Sequence, residues 1–240
     1  MKRLFDICLS FVGLVSVSPV LLTVMFLVWW EDRHSPFYIA SRVGRGGKPF
    51  RMVKMRSMRF GADKSGVSST SNNDQRITSV GHFIRRFKID ELTQLWNVLW
   101  GDMSFVGPRP QVQAGVDLYT ATERGLLSVR PGITDFASIV FSDEGTILNG
   151  SSDPDGDYNR LIRPWKSRLG LIYIASQGIW LDIRLIALTA IAIVSRQTSL
   201  DGVVVILRAL QVNAQLVEIC QRRKALEPGN APGDDFRPFA

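Results

Sequence analysis

The longest apolar run in the chain, Ile7 to Trp30, carries no charge and as a helix would be ~36 Å long, enough to cross a bilayer. Lys2 and Arg3 flank it on one side, and Arg33, Arg42, Arg45, Lys48 and Arg51 follow on the other. Cations on both flanks pull both to the cytoplasm, while Pro19 near the centre removes a helical hydrogen bond. The pattern therefore predicts a membrane helix that enters and returns on one face, with Trp29 and Trp30 at headgroup level. A cleaved leader fits poorly, because WWEDRHSPF follows the run in place of small residues.

Strand-like runs from Phe37 to Arg42 and from Pro49 to Met55 surround Gly44, Gly46 and Gly47, which predicts two strands and a turn. The Gly, Ser and Asn-rich residues 61–73 show no hydrophobic period and predict a mobile loop. Leu92, Leu95, Trp96 and Leu99 follow at i, i+3, i+4 and i+7, the face of an amphipathic helix that Gly101 ends. A polar helix-like stretch runs from Pro110 to about Ser128, and Ser151 to Tyr158 reads as a surface loop with solvated acids. Asp182 and Arg184 divide the apolar stretch Leu169 to Val194, which fits an amphipathic helix at the membrane interface better than a span. The expected fold class is α+β and membrane-anchored. Its parts are a re-entrant helix at residues 1–33, a small, mainly helical cytoplasmic catalytic domain with interfacial helices at 34–198, a C-terminal helix at 199–226, and a disordered tail at 227–240.

Charge narrows the partners. The net charge of +7 suits an anion: nucleic acid, acidic lipid or a phosphate-bearing substrate. Cys8 and Cys220 give no disulfide framework, and His34 and His82 have no metal-ligand spacing.

The densest chemistry lies in Arg85 to Pro110, RRFKIDELTQLWNVLWGDMSFVGPRP. Asp90 and Glu91 fall in the first turn of the predicted helix, where its dipole favours carboxylates and phosphate docks. Arg85, Arg86 and Lys88 precede them, and Arg109 follows between Pro108 and Pro110. Taken alone, an Asp-Glu pair at a helix start is more often a capping device.

As a string, IDELTQLWNVLWGDMSFVGPRP resembles the signature of the bacterial sugar transferase family, the monotopic polyprenyl-phosphate phosphoglycosyl transferases. Further likenesses are Ser35-Pro36-Phe37 with Arg42-x-Gly44, then Lys54-x-Arg56-x-Met58, then Asp74-x-Arg76-x-Thr78-x-x-Gly81, and Arg130-Pro131-Gly132-Ile133. Thr93 stands where the family has proline, Ile89 where leucine is common and Asp135 where glycine is usual. The likeness covers roughly residues 2–195.

That resemblance implies a bend of the membrane helix at Ser18 and Pro19, and an anchor in the bacterial inner membrane with the catalytic domain facing the cytoplasm. It implies transfer of a sugar 1-phosphate from a nucleoside diphosphate sugar, most often a uridine one, to polyprenyl phosphate, initiating exopolysaccharide, O-antigen or glycoprotein glycan assembly. Asp90 would be the nucleophile, forming an aspartyl phosphosugar. Mg2+ would be the cofactor, held by Glu91 with Asp90 beside it. Arg85, Arg86, Arg109, Arg130, Lys54, Arg56 and Arg76 are the candidates for binding substrate phosphate. The implied partners are donor, lipid acceptor and phospholipid membrane; nucleic acid is not expected, and a homodimer stays open. The competing readings are a membrane-bound basic scaffold or regulator that binds anionic lipid or nucleic acid without catalysis, and a hydrolase that uses water as acceptor.

Overall fold

A computed structural model describes residues 1–62 and 74–239, so most of the loop expected at 61–73 lies outside the described residues. Helix α1 runs from Lys2 to Asp32, with Pro19 inside it. Proline at 19 has no N–H to donate to the Val15 carbonyl, and the Ser18 hydroxyl donates to that carbonyl instead, at 2.8 Å. Helical hydrogen bonding runs on through Ser18 and Pro19, the residues at which the bend is expected. Buried Asp6, Ser10, Leu14, Leu21, Val24 and Val28 form one stripe at helical spacing. Ile84, Ile89 and Leu95 pack on its later residues. The opposite side, including Phe11, Val15, Leu22, Phe26 and Trp30, is bare.

Both ends of α1 are fastened to the same body. Lys2 pairs with the fully buried carboxylate of Asp182 and donates to Val106 O at 3.2 Å. Arg3 donates to the carbonyls of Val98 and Leu99. At the other end Arg56, only 6% exposed, pairs with Asp32 and donates to Ser35 O.

Strands β1 (Phe37–Val43) and β2 (Pro49–Met55) form the expected antiparallel hairpin, with Phe37 opposite Met55 and Val43 opposite Pro49. The Cα path turns through Gly46 and Gly47, both at positive φ. Helix α2 (Ser79–Arg86) is capped by Thr78, whose hydroxyl accepts from Gly81 N–H. The single amphipathic helix expected after it is two short ones, α3 (Ile89–Leu92) and α4 (Leu95–Trp100), and Gly101 at φ 102° ends the second as predicted. Strand β3 (Ser104–Val106) pairs in parallel with β4 (Gly132–Thr134). Between them lie α5 (Gln113–Asp117) and a 3-10 turn at Glu123–Ser128.

The carboxyl-terminal half supplies the main core. Short helices α6 (Phe136–Val140), α7 (Glu144–Ile147) and α8 (Pro154–Asp157) lead into α9 (Arg163–Ser176), α10 (Ile179–Val194), α11 (Arg196–Ala209) and α12 (Ala214–Gln221). The stretch expected as one interfacial helix is therefore α9 plus α10. Leu169, Ile172 and Tyr173 of α9 are buried in the core, whereas α10 leaves Trp180, Ile183, Ile193 and Val194 exposed. The single helix expected at 199–226 divides between α11 and α12, with Gln211 at positive φ between them. Residues 227–239 contain no helix or strand but lie along α9, where Gly229 N–H donates to Arg160 O and Arg168 donates to Asn230 O.

Candidate active site

The site grows from the way α3 and α4 grip the free edge of β2. Val53 N–H donates to Asn97 Oδ1 at 2.9 Å, and Asn97 Nδ2 donates to Arg51 O at 2.8 Å. The Thr93 hydroxyl lies 3.1 Å from Val53 O and 3.0 Å from Asp90 O. Both side chains are about 1% exposed, so they satisfy an edge that water cannot reach. Thr93 has φ −67°, the value proline would take, which explains how threonine replaces the family's proline without moving the backbone.

This clamp brings Lys54 to Asp90, with Nζ 3.9 Å from a carboxylate oxygen. On the other side, Arg109 pairs with Glu91. Arg109 is delivered by the segment after β3, where Gly107 and Gly132 nearly touch. A Cβ on Gly132 would lie 2.1 Å from Gly107 N, so neither position has room for a side chain.

Two adjacent carboxyls thus receive different environments. Burial pushes Asp90 above the ordinary carboxylate range, with Lys54 opposing and Glu91 adding to the shift. Burial acts on Glu91 as well, but Arg109, Lys54 and Lys88 outweigh it and hold that carboxyl at about 2. The helix dipole expected to favour both acids as anions is a short one, since α3 is one turn long, and burial opposes it at Asp90. Burial and the neighbouring Arg109 lower Lys54 in turn.

The other predicted cations divide by location. Arg85 is close enough to influence Asp90. Arg86 is exposed and lies over the Phe87 ring. Arg56 clasps the end of α1, and Arg76 pairs with Asp74 through Nη2 at 2.6 Å. Arg130 donates to Gly101 O at 2.7 Å, at the far end of α4 from Asp90.

The structure adds residues that local motifs did not reveal. Glu144 pairs with Lys166, whose ammonium lies 5.2 Å from the centre of the Tyr158 ring, and the Tyr158 hydroxyl accepts from Gln111 Nε2 at 3.1 Å. Glu144 and Lys166 both interact electrostatically with Arg109, so this cluster forms a further wall of the site. Asp135 caps α6 by accepting from Ser138 N–H at 2.7 Å, and burial raises its carboxyl. Its φ of −163° is ordinary extended backbone, so the position does not call for the family's glycine.

A divalent cation finds two carboxylates here. Magnesium commonly binds one or two carboxylates and takes its remaining oxygens from substrate phosphate and water, so Asp90 and Glu91 fit an ion that arrives with a diphosphate. Among the described residues there is no cluster of three or more His, Cys, Asp or Glu side chains that would cage a metal unaided.

Comparison with known proteins gives a consistent picture. Residues 1–196 match the family model described as bacterial sugar transferase. A Klebsiella pneumoniae UDP-glucose:undecaprenyl-phosphate glucose-1-phosphate transferase is 35% identical over 191 residues, 78% of this chain and 39% of its own. An Aeromonas hydrophila UDP-N-acetylgalactosamine-undecaprenyl-phosphate N-acetylgalactosaminephosphotransferase is 32% identical over 77% of this chain and 41% of its own. A Bacillus subtilis (strain 168) protein, provisionally named an undecaprenyl-phosphate N-acetylgalactosaminyl 1-phosphate transferase, is 46% identical over 46% of this chain and 62% of its own. The chain therefore spans less than two thirds of the length of each of these relatives.

Proposed function

Since the chain belongs to the bacterial sugar transferase family, we propose that it transfers a sugar 1-phosphate from a UDP-sugar to undecaprenyl phosphate at the cytoplasmic face of the inner membrane, as a first step in glycan assembly. The observation that carries this reading is the pairing of adjacent Asp90 and Glu91 with separate cations, Lys54 and Arg109. Asp90 is the nucleophile. One of its carboxylate oxygens attacks the sugar-bearing phosphorus, the bond to the bridging oxygen breaks, and UMP leaves with that oxygen. The acceptor's phosphate oxygen then attacks the same phosphorus, and the aspartyl–phosphorus bond breaks to restore the carboxylate.

A carboxylate attacks an anionic phosphoryl group only when nearby positive charge offsets the repulsion. Lys54 stands against Asp90 to do so, and Arg85 and Arg109 are placed to address the diphosphate. Glu91, held as an anion, would bind Mg2+ with Asp90; when bound, the ion supplies further neutralisation of phosphate charge. The Glu144–Lys166–Tyr158 wall would face the remainder of the donor.

Membrane placement follows the same reading. The helix α1 is long and apolar enough to cross a bilayer. Because its two ends are bonded to one body, we read it as lying within one leaflet, with both ends and the catalytic domain on the cytoplasmic side. The exposed apolar residues of α10 would rest in the interface beside it.

The test is UMP release by purified protein in nanodiscs from a panel of UDP-sugars, with Mg2+ and undecaprenyl phosphate each added or withheld. Sustained release that needs lipid, Mg2+ and Asp90 is expected. Release that continues with water as the only acceptor would replace the transferase with a hydrolase, and no release across the panel from folded protein would remove catalysis.

A further inference from the structure

A cavity of about 430 Å³ opens where α1 begins, lined by Lys2, Arg3, Arg45, Arg130, Tyr173 and Gln177 among others. Asp6 also faces it, but the Ser104 hydroxyl and Phe105 N–H occupy that carboxylate. Lys2 is balanced by buried Asp182. Among the described residues Arg3, Arg45 and Arg130 have no carboxylate partner: Arg3 donates to Val98 and Leu99 carbonyls, and the other two each donate through Nε alone, to Ser128 O and Gly101 O. The terminal N–H groups of Arg45 and Arg130 have no protein partner among the described residues, which leaves several guanidinium donors free for an anion.

The cavity stands apart from the carboxylate centre. Lys54, Asp90, Glu91 and Arg109 are absent from its lining, and Arg130 reaches it from Gly101, at the far end of α4. Bare apolar side chains stand close in sequence to its lining: Leu4, next to Arg3 on α1, is 67% exposed, and Trp180 of α10, three residues beyond Gln177, is 77% exposed. Charged donors inside, with exposed apolar side chains on the two helices that lead away from it, match an amphiphile that carries its phosphate beside its hydrocarbon.

We infer that this cavity binds the phosphate of an anionic membrane phospholipid, held by Arg45 and Arg130 with Lys2 and Arg3 beneath, as a site separate from the one that handles the donor. The inference rests on reading α1 as a segment lying in the bilayer. It assigns Arg130 to lipid rather than to nucleotide. The bound lipid would sit at the junction of α1 and α10 and hold the catalytic body against the membrane.

The experiment measures phosphatidylglycerol retained per protein, by mass spectrometry after detergent washing, for the wild type, Arg45→Gln, Arg45→Gln/Arg130→Gln and Asp90→Asn. Arg45 is exposed and bonds a single carbonyl, so its single variant should fold even if the double variant does not. Retention should fall roughly tenfold or more in the double variant, fall by less in the single one, and stay at the wild-type level in Asp90→Asn. Asp90→Asn separates this site from the proposed chemistry, since lipid retention does not depend on turnover. Equal retention in wild type and Arg45→Gln overturns the inference, as does displacement of the lipid by millimolar inorganic phosphate, which would make the site one for a free anion. A raised KM for undecaprenyl phosphate with phosphatidylglycerol unchanged also overturns it and assigns the cavity to the acceptor.

Discussion

Asp90 and Glu91 are neighbours in one turn of helix, yet burial raises the first carboxyl while Arg109 and other nearby cations hold the second at about 2. Glu91 is therefore an anion from mildly acid pH upward, while burial favours the protonated form of Asp90 more than it would for an exposed carboxyl. This divides the labour of two chemically similar side chains without any difference in sequence distance.

The first prediction is a pH profile. The acid limb of kcat/KM for UMP release should report Asp90 and lie above the ordinary carboxylate range, whereas a limb at about 2 would point to Glu91 as the titrating group. Asp90→Asn and Glu91→Gln should each lower turnover by roughly a thousandfold or more.

Stability should move in opposite directions for the two acids. A depressed carboxyl stabilises the fold above its unfolded value and loses that contribution as pH falls, so Glu91 adds acid sensitivity between about 4.5 and about 2. Glu91→Gln should remove that component. A raised carboxyl does the reverse, costing stability as pH rises through its native value, so Asp90→Asn should unfold at a higher temperature than wild type at neutral pH. Thermal unfolding scanned against pH checks both.

Lys54 should matter through Asp90. Lys54→Gln is expected to move the acid limb to higher pH, because Lys54 opposes the rise of Asp90, and to slow UMP release roughly a hundredfold. An unshifted limb with a slowed rate would assign Lys54 to substrate binding alone.

Gly132→Ala should wedge β3 from β4. Its Cβ would meet Gly107 N at 2.1 Å, and the segment displaced is the one that carries Arg109. Overpacking of this kind costs about 1–3 kcal/mol, so calorimetry should show a lowered Tm, and the turnover assay a loss larger than the unfolded fraction explains.

Membrane topology gives a prediction independent of catalysis. An epitope tag ahead of Met1 and a thiol introduced by Lys48→Cys should both be reached from the cytoplasmic side of sealed vesicles and from neither side otherwise. Labelling from opposite faces would make α1 a through-going span.

Much of this was legible in the chain because the relevant signals are local. Glycines between two strand-like runs gave the β1–β2 hairpin, and the residues from Asp90 to Arg109 form one contiguous string. What escaped depends on partners remote in sequence. Nothing near Asp182 announces Lys2, so the acid in that apolar run gives no local sign of its counter-ion at the other end of the chain. Glu144 and Lys166 belong to no shared motif and meet only because α9 packs on α6. Arg56 reads as a phosphate ligand by type and motif, and nothing local shows that it also pairs with Asp32 at the end of α1.

The two clasps at the ends of α1 bear on which membranes the protein can inhabit. A helix that runs from one aqueous phase to the other must match its apolar length to the hydrocarbon thickness, and it tilts or thins the bilayer when it cannot. On the reading proposed above, a helix bound at Lys2 and at Asp32 to a single body has no second surface to reach. The depth of the site would then depend on the shape of its own underside, and lipids of different chain length should leave Asp90 at the same height above the headgroups.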